Sequence, residues 1–185
     1  LYCRAADAWV DPWKPVPRAL ITHAHADHAR PGCGEYWAID SSEAVLRQRL
    51  GQSINLHSVQ YGEEFWLGQC KVSFHSAGHV LGSAQIRLES DGNVWVVSGD
   101  YKRDHDPSCA PFETVACDVL ITEATFGLPI YRWSSGAEVA KSIRDWWQAD
   151  RSRPTLLFCY AFGKAQRLLA ELKAIGVEEE VLLHG

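Results

Sequence analysis

Three histidines and an aspartate fall within the six residues His23-Ala24-His25-Ala26-Asp27-His28. The apolar stretch Ala19-Leu20-Ile21-Thr22 runs directly into them and reads as the end of a buried strand. In an extended or looped segment the side chains at i and i+2 point the same way, so His23 and His25 can converge on one ion. Asp27 and His28 lie beyond them, within reach of a second. Imidazole nitrogen and carboxylate oxygen suit a borderline divalent metal such as zinc, and two ions roughly 3.5–4 Å apart form the usual hydrolytic pair. A single histidine is more often a surface or packing residue than a ligand. Four donors at this spacing, beside a strand and without the monotony of a metal-storage tract, are a far more specific signal.

Two later segments supply the remaining donors. Ser76-Ala77-Gly78-His79-Val80-Leu81-Gly82-Ser83 leaves a strand over residues 71–75 through a glycine-bracketed loop. The glycines would let the backbone approach a bound ion and present one imidazole, so His79 completes a three-histidine set with His23 and His25. His75 is a rival for that place, but a strand end suits a packing or supporting role better. A hairpin over residues 84–89 and 94–98, turning at Ser90-Asp91-Gly92-Asn93, delivers Gly99-Asp100. A carboxylate emerging from a buried Val-Trp-Val-Val strand needs a cation to offset its desolvation. Asp100 is therefore expected to bridge. Metal one takes His23, His25 and His79, and metal two takes Asp27 and His28.

Cations and further carboxylates follow. Tyr101-Lys102-Arg103-Asp104 sets two cations beside Asp100, and Arg103 could form a forked pair with a phosphate; a solvated charge cluster is the equal alternative. Val119-Leu120-Ile121-Thr122-Glu123 again ends an apolar strand in a carboxylate. In Phe162-Gly163-Lys164 a glycine and a lysine open a helix, which reads equally as a phosphate cradle or a plain helix start.

The stretch from Thr22 to His28 resembles the signature of the metallo-β-lactamase superfamily. Its continuation Ala29-Arg30-Pro31-Gly32 departs from the Gly-Gly common in lactamase-like and glyoxalase-like members. It is similar instead to the ligase-associated DNA exonucleases, close to the nucleases that process messenger RNA 3′ ends. Gly78-His79-x-x-Gly82-Ser83 resembles that nuclease branch, and Gly99-Asp100-Tyr101-x-Arg103 and Gly163-Lys164-Ala165-Gln166 resemble stretches of its β-CASP members. The resemblance implies an α/β (α+β) fold, an αββα sandwich with both ions at the edge where strands end. It implies that Asp11 braces the histidine loop and that Glu123 orients a catalytic histidine. The family's late Asp-His-Ala-type segment, source of the last ligand of metal two, is missing from these residues. His184 is not in that motif.

The expected activity is a metal-dependent nuclease that cleaves phosphodiester bonds through a metal-bound hydroxide. DNA is the first substrate, cut as an exonuclease in DNA repair, and an RNA-processing endonuclease is the alternative. Asp27, Asp100 and Glu123 are the catalytic candidates, Lys102, Arg103 and Lys164 the substrate-binding ones. The cofactors are two divalent ions, zinc first and manganese second. A DNA ligase or helicase is the partner the resemblance implies. Two other classes stay open: a small-molecule hydrolase of the same fold acting on a thioester or lactam, and a non-catalytic binding module that keeps metal one alone.

The elements that must position these groups follow from composition and pattern. With 185 residues, 46% hydrophobic and 22% charged, the chain can bury a sizeable core. The net charge of −5 lacks the basic footprint of a protein that binds nucleic acid mainly by charge, so metals and a local patch must hold phosphates. Six cysteines form no Cys-x-x-Cys pair, and no apolar run reaches membrane-spanning length; a cytoplasmic chain without membrane contact is expected. Three prolines in Pro12-Trp13-Lys14-Pro15-Val16-Pro17 exclude a helix there. A strand over residues 36–39 leads to a helix capped by Ser41 or Ser42 and stopped at Gly51. Segments 56–60, 65–67 and 71–75 read as meandering antiparallel strands. Ser135-Gly136-Ala137-Glu138 is a capping box opening a helix to about residue 148. A buried strand over residues 155–160, a helix ending near Gly176 and a strand beginning at Val181 complete the pattern. The resemblance implies that residues 1–130 are the metal-binding domain and residues 131–185 a helix-strand-helix continuation, the incomplete start of a β-CASP-like or second-half segment.

Overall fold

The computed structural model describes residues 1–184. It divides into two compact units, one over Leu1–Thr125 and one from Phe126 onward. The first unit is built of two five-stranded sheets. One contains β1 (Tyr2–Cys3), β2 (Ala8–Val10), β3 (Arg18–Leu20), β4 (Glu35–Ile39) and β5 (Leu56–Val59), in that order. The other runs β10 (Val119–Ile121), β9 (Asn93–Val97), β8 (Ala84–Ser90), β7 (Cys70–Ser76) and β6 (Glu64–Leu67). Both sheets mix parallel and antiparallel pairs, as expected for the αββα architecture.

The sequence dictates most of this. In β7 and β8 the residues Val72, Phe74, Ile86 and Leu88 alternate with polar neighbours and turn to one face, where they join Val10, Leu20 and Ile39 of the other sheet in a single core cluster. Phe74 and Ile86 pair across the strands and are fully buried, each such side chain contributing about 1.5–3 kcal/mol. The β8–β9 hairpin turns at Asp91 and Gly92, both at positive φ, as its turn composition predicts.

The expected antiparallel meander over residues 56–75 is only partly present. The strand over residues 56–59 does not pair with its successor; it runs parallel to β4 in the other sheet. Alternation along one segment sets its buried face but not its partner, and the helix α1 (Glu43–Leu50) supplies the crossover that a parallel pair needs. Its start also differs: Ser42 donates its hydroxyl to Ile39 O at 2.7 Å, inside a short 3₁₀ turn, and caps nothing. Gly51, at φ 113°, ends it as expected.

In the second unit, α2 (Gly136–Ala149) begins with the capping box: Glu138 N donates to Ser135 Oγ at 3.2 Å and Ser135 N to Glu138 Oε2 at 2.8 Å. The helix α3 (Lys164–Ala174) packs against it, burying Ala140 and Leu172. The strand expected over residues 155–160 is not formed: Leu156 is 73% and Phe158 95% exposed, and among the described residues of this unit no strand is present to pair with them. Residues 181–184 likewise form no strand, and Gly185 lies outside the described residues. Among the described residues no helix is long and apolar enough to cross a membrane.

Candidate metal centre

The histidine loop starts where β3 ends. Asp11, at φ 43° just past β2, accepts hydrogen bonds from Thr22 N at 2.8 Å and from Thr22 Oγ1 at 2.6 Å. Its Oδ2 also meets His28 Nδ1 at 2.8 Å. Since the Thr22 hydroxyl proton goes to Asp11, its 3.1 Å contact with His23 Nδ1 is donated by the imidazole. One carboxylate thereby sets two tautomers. With Nδ1 carrying the proton in both rings, His23 and His28 each turn Nε2 away from the strand and toward a common cleft.

There His23 Nε2 lies 2.9 Å from His25 Nδ1, and His79 Nε2 lies 3.4 Å from the same atom. Asp100 Oδ2 stands 3.9 Å from His23 Nε2 and 3.7 Å from His79 Nε2. One donor atom from each of His23, His25, His79 and Asp100 lies within 4.8 Å of all the others. The other oxygen of Asp100, Oδ1, faces His28 Nε2 at 3.3 Å, and Asp27 Oδ2 reaches the same nitrogen at 3.6 Å. Asp100 thus stands between a three-imidazole group and a His28–Asp27 group, with one oxygen toward each.

Gly99 permits this approach, whereas Gly78, expected to let the backbone near a bound ion, makes room for another loop. A Cβ on Gly99 would lie 2.6 Å from Thr22 Oγ1, so only glycine lets the Asp100 loop close on the histidine loop. At Gly78 the space is filled by the backbone carbonyl of Lys102, not reserved for an ion. Ser83, buried beside His79, accepts from His79 N at 3.0 Å and Val80 N at 3.1 Å and so shapes the loop that carries that imidazole.

Electrostatics agree with a place built for positive charge. Burial would lower the His28 pKa, but hydrogen bonds to Asp100 and Asp11 and their charges outweigh it, leaving the ring at about 10. The same hydrogen bond to His28, with the neighbouring imidazoles, holds Asp100 at about 2 against its own burial. Burial, reinforced by the His28 and His79 charges, pushes His23 well below its ordinary value, and burial lowers His79 too. Neutral imidazoles around an ionised carboxylate are the protonation state that ligates a divalent ion. A cation held by His28 would have to displace the proton that the ring otherwise carries. The donor set of nitrogen and carboxylate oxygen fits zinc or manganese in chemistry.

The other candidates lie where the pattern could not say. Glu123 borders the same cleft as Asp27, His28 and Asp100, and accepts from Thr125 N at 2.7 Å. Lys102 is half-buried, its Nζ 3.3 Å from Oδ2 of the buried Asp106, whereas Arg103 is exposed. Lys164 opens α3 in the second unit, its Nζ 4.5 Å from the centroid of Tyr160. His75 stays outside the cluster: Nε2 meets Ser73 Oγ at 3.0 Å and Nδ1 meets Glu113 Oε1 at 2.9 Å. This Ser-His-Glu order would suit a nucleophile, but Ser73 is 2% exposed, too deep for any substrate. The strand before Asp100 is also less enclosed than expected, with Trp95 44% exposed.

No protein-family model matches the chain. Among curated proteins it is 33% identical over 178 residues to a probable DNA ligase of Opitutus terrae, covering 94% of this chain and 17% of that one. It is 26% identical over 187 residues to an RNase J-like protein of Methanocaldococcus jannaschii, covering 84% of this chain and 43% of the relative. A third relative, cleavage and polyadenylation specificity factor subunit 3 of Dictyostelium discoideum, is 30% identical over 133 residues, which are 70% of this chain and 17% of the relative. The chain therefore spans less than half the length of each of these relatives.

Proposed function

Given that the chain belongs to the nuclease branch of the metallo-β-lactamase superfamily, we propose that it hydrolyses phosphodiester bonds of nucleic acid at the His23–Asp100 cleft. The observation that carries this reading is the placement of Asp100, with one carboxylate oxygen toward His23 and His79 and the other toward His28. Divalent ions, when bound, supply Lewis acidity that makes water nucleophilic near neutral pH and offsets charge on the phosphoryl oxygens. His23, His25 and His79 would hold one ion and His28 and Asp27 a second, with Asp100 placed to serve both. Asp11 keeps the His23 and His28 tautomers fixed, so no reorganisation is needed when substrate arrives. Glu123 borders the same cleft, where it can hold a proton or orient an imidazole as substrate departs. Arg103, exposed next to the Asp100 loop, grips a phosphate of the strand. Lys102 stabilises that loop through Asp106. Lys164 is the corresponding cation candidate in the second unit.

DNA is the first substrate in this reading and exonucleolytic cutting its mode, because a ligase relative aligns over 94% of the chain. Zinc is the first metal. RNA-processing endonuclease activity is the second reading, favoured by the RNase J-like relative. The engagement of Lys102 by Asp106 also leaves an acyl hydrolase with fewer phosphate-binding cations against it.

Labelled single- and double-stranded DNA and RNA, assayed alongside elemental analysis, decide among these. Asp100→Asn should abolish hydrolysis of every substrate, because both metal positions lose a shared ligand. Arg103→Ala should weaken cleavage of nucleic acid and flatten its salt dependence by about one unit of slope. A slope unchanged by Arg103→Ala, with an uncharged ester or lactam cleaved efficiently, would transfer the assignment to the acyl hydrolase.

A further inference from the structure

Trp13 borders the same cleft as Asp27, His28 and Asp100, yet 79% of it is exposed. Scattered exposed aromatics are ordinary, so exposure alone carries nothing. Three further observations set this one apart. First, its loop is rigid. Pro12 is buried, and Asp11, two residues before the indole, is fixed by its bonds to Thr22 and His28. Beyond the indole, Gly34 N donates to Val16 O and Glu35 N to Pro17 O, each at 2.9 Å. Second, the Arg30 guanidinium lies over the ring, Cζ 5.3 Å from its centroid. Third, Arg30 Nε is buried without a hydrogen-bond partner. A buried donor without a protein partner is uncommon, and here it lies on the side chain that backs the indole. The ring is thus pre-positioned, backed by a cation, and open toward solvent at the mouth of the metal cleft.

We propose that Trp13, backed by Arg30, is a stacking platform for the nucleobase next to the scissile phosphate. This rests on the nuclease reading above. Every base has a π face, so an indole platform grips single-stranded nucleic acid of any sequence, DNA or RNA. A rigid loop loses little conformational freedom on binding, and the nearby Arg30 charge favours the anionic strand. The low global basicity of the chain is consistent with a grip that relies on stacking. A base held at the platform sets which linkage lies over Asp100, so the platform acts on positioning as well as affinity.

The test compares a labelled single-stranded oligonucleotide with the same strand carrying abasic residues at the cleaved end, in DNA and RNA versions. The chain should cut the intact strand with a kcat/KM about five- to 150-fold higher than the abasic one, and anisotropy should show a matching difference in Kd. Trp13→Ala should bring both ratios to near one, while Trp13→Phe keeps most of each. Circular dichroism checks that the variants fold. A wild-type chain indifferent to the missing base, or a Trp13→Ala ratio equal to wild type, overturns the platform and leaves the nuclease reading intact. If the wild type cuts neither strand, the nuclease reading fails, and the anisotropy ratio alone then decides whether Trp13 binds bases.

Discussion

Two phenylalanines show how differently the halves of this chain are built. Phe74, in the first unit, is fully buried between two sheets; Phe158, in the second, is 95% exposed. Both sit in short segments that read as strands, the first alternating apolar with polar residues and the second continuously apolar. The first run finds β6 and β8 on either side, so its backbone groups are paired and its apolar face is covered. The second finds no ladder among the described residues, and Leu156, Phe158 and Tyr160 face solvent. The aromatic trio Phe126, Tyr131 and Trp133 makes ring contacts at centroid distances of 5.2–6.4 Å while each member stays largely exposed. The lesson is that apolar sequence makes a strand only where partners saturate its N–H and C=O groups. The metal centre lies in the half where that condition is met, and its ligands inherit the rigidity of the sheets.

The largest contrast should appear on truncating the two phenylalanines. Phe74→Ala should destabilise the first unit by about 3–5 kcal/mol, whereas Phe158→Ala should change stability by less than about 0.5 kcal/mol. Urea unfolding of both variants checks this, and equal losses would erase the distinction between the halves.

Metal should come next and act on one half alone. Zinc at about 100 times its Kd should stabilise the first unit by about 2.7 kcal/mol, an increment that a chelator or His25→Ala removes. Hydrogen exchange resolved by segment should show the change within residues 1–125 and not in α2 or α3. Protection spread evenly over both units would mean that the ion binds elsewhere.

Asp11→Ala sharpens the comparison within the first unit. Loss of the group that sets the His23 and His28 tautomers should weaken metal binding about 10–100-fold, or about 1.4–2.7 kcal/mol, although Asp11 is not itself placed as a ligand. Calorimetric titration returning the wild-type affinity would reduce Asp11 to a turn residue.

The smallest effect belongs to the second unit. Ser135→Ala should cost α2 about 1 kcal/mol of local stability through loss of its cap, read as faster exchange over residues 136–149, with no change in bound metal.

Local rules made much of this legible in advance. Spacing of two residues turns His23 and His25 the same way in any extended segment, so half of the candidate centre is visible without a fold. The β8–β9 hairpin and the α2 capping box are likewise written in neighbouring residues, because a turn and a cap are satisfied within four positions. Partners distant in the chain were beyond those rules. That β5 pairs in parallel with β4 and that Gly78 makes room for the Lys102 carbonyl both depend on which surfaces meet after folding. The same holds for the two oxygens of Asp100. Sequence alone determined that a carboxylate follows the hairpin; only the packing of Gly99 against Thr22 decided that its oxygens face the His23–His79 group on one side and His28 on the other, because that approach needs a residue without a Cβ opposite a side chain 77 positions earlier in the chain.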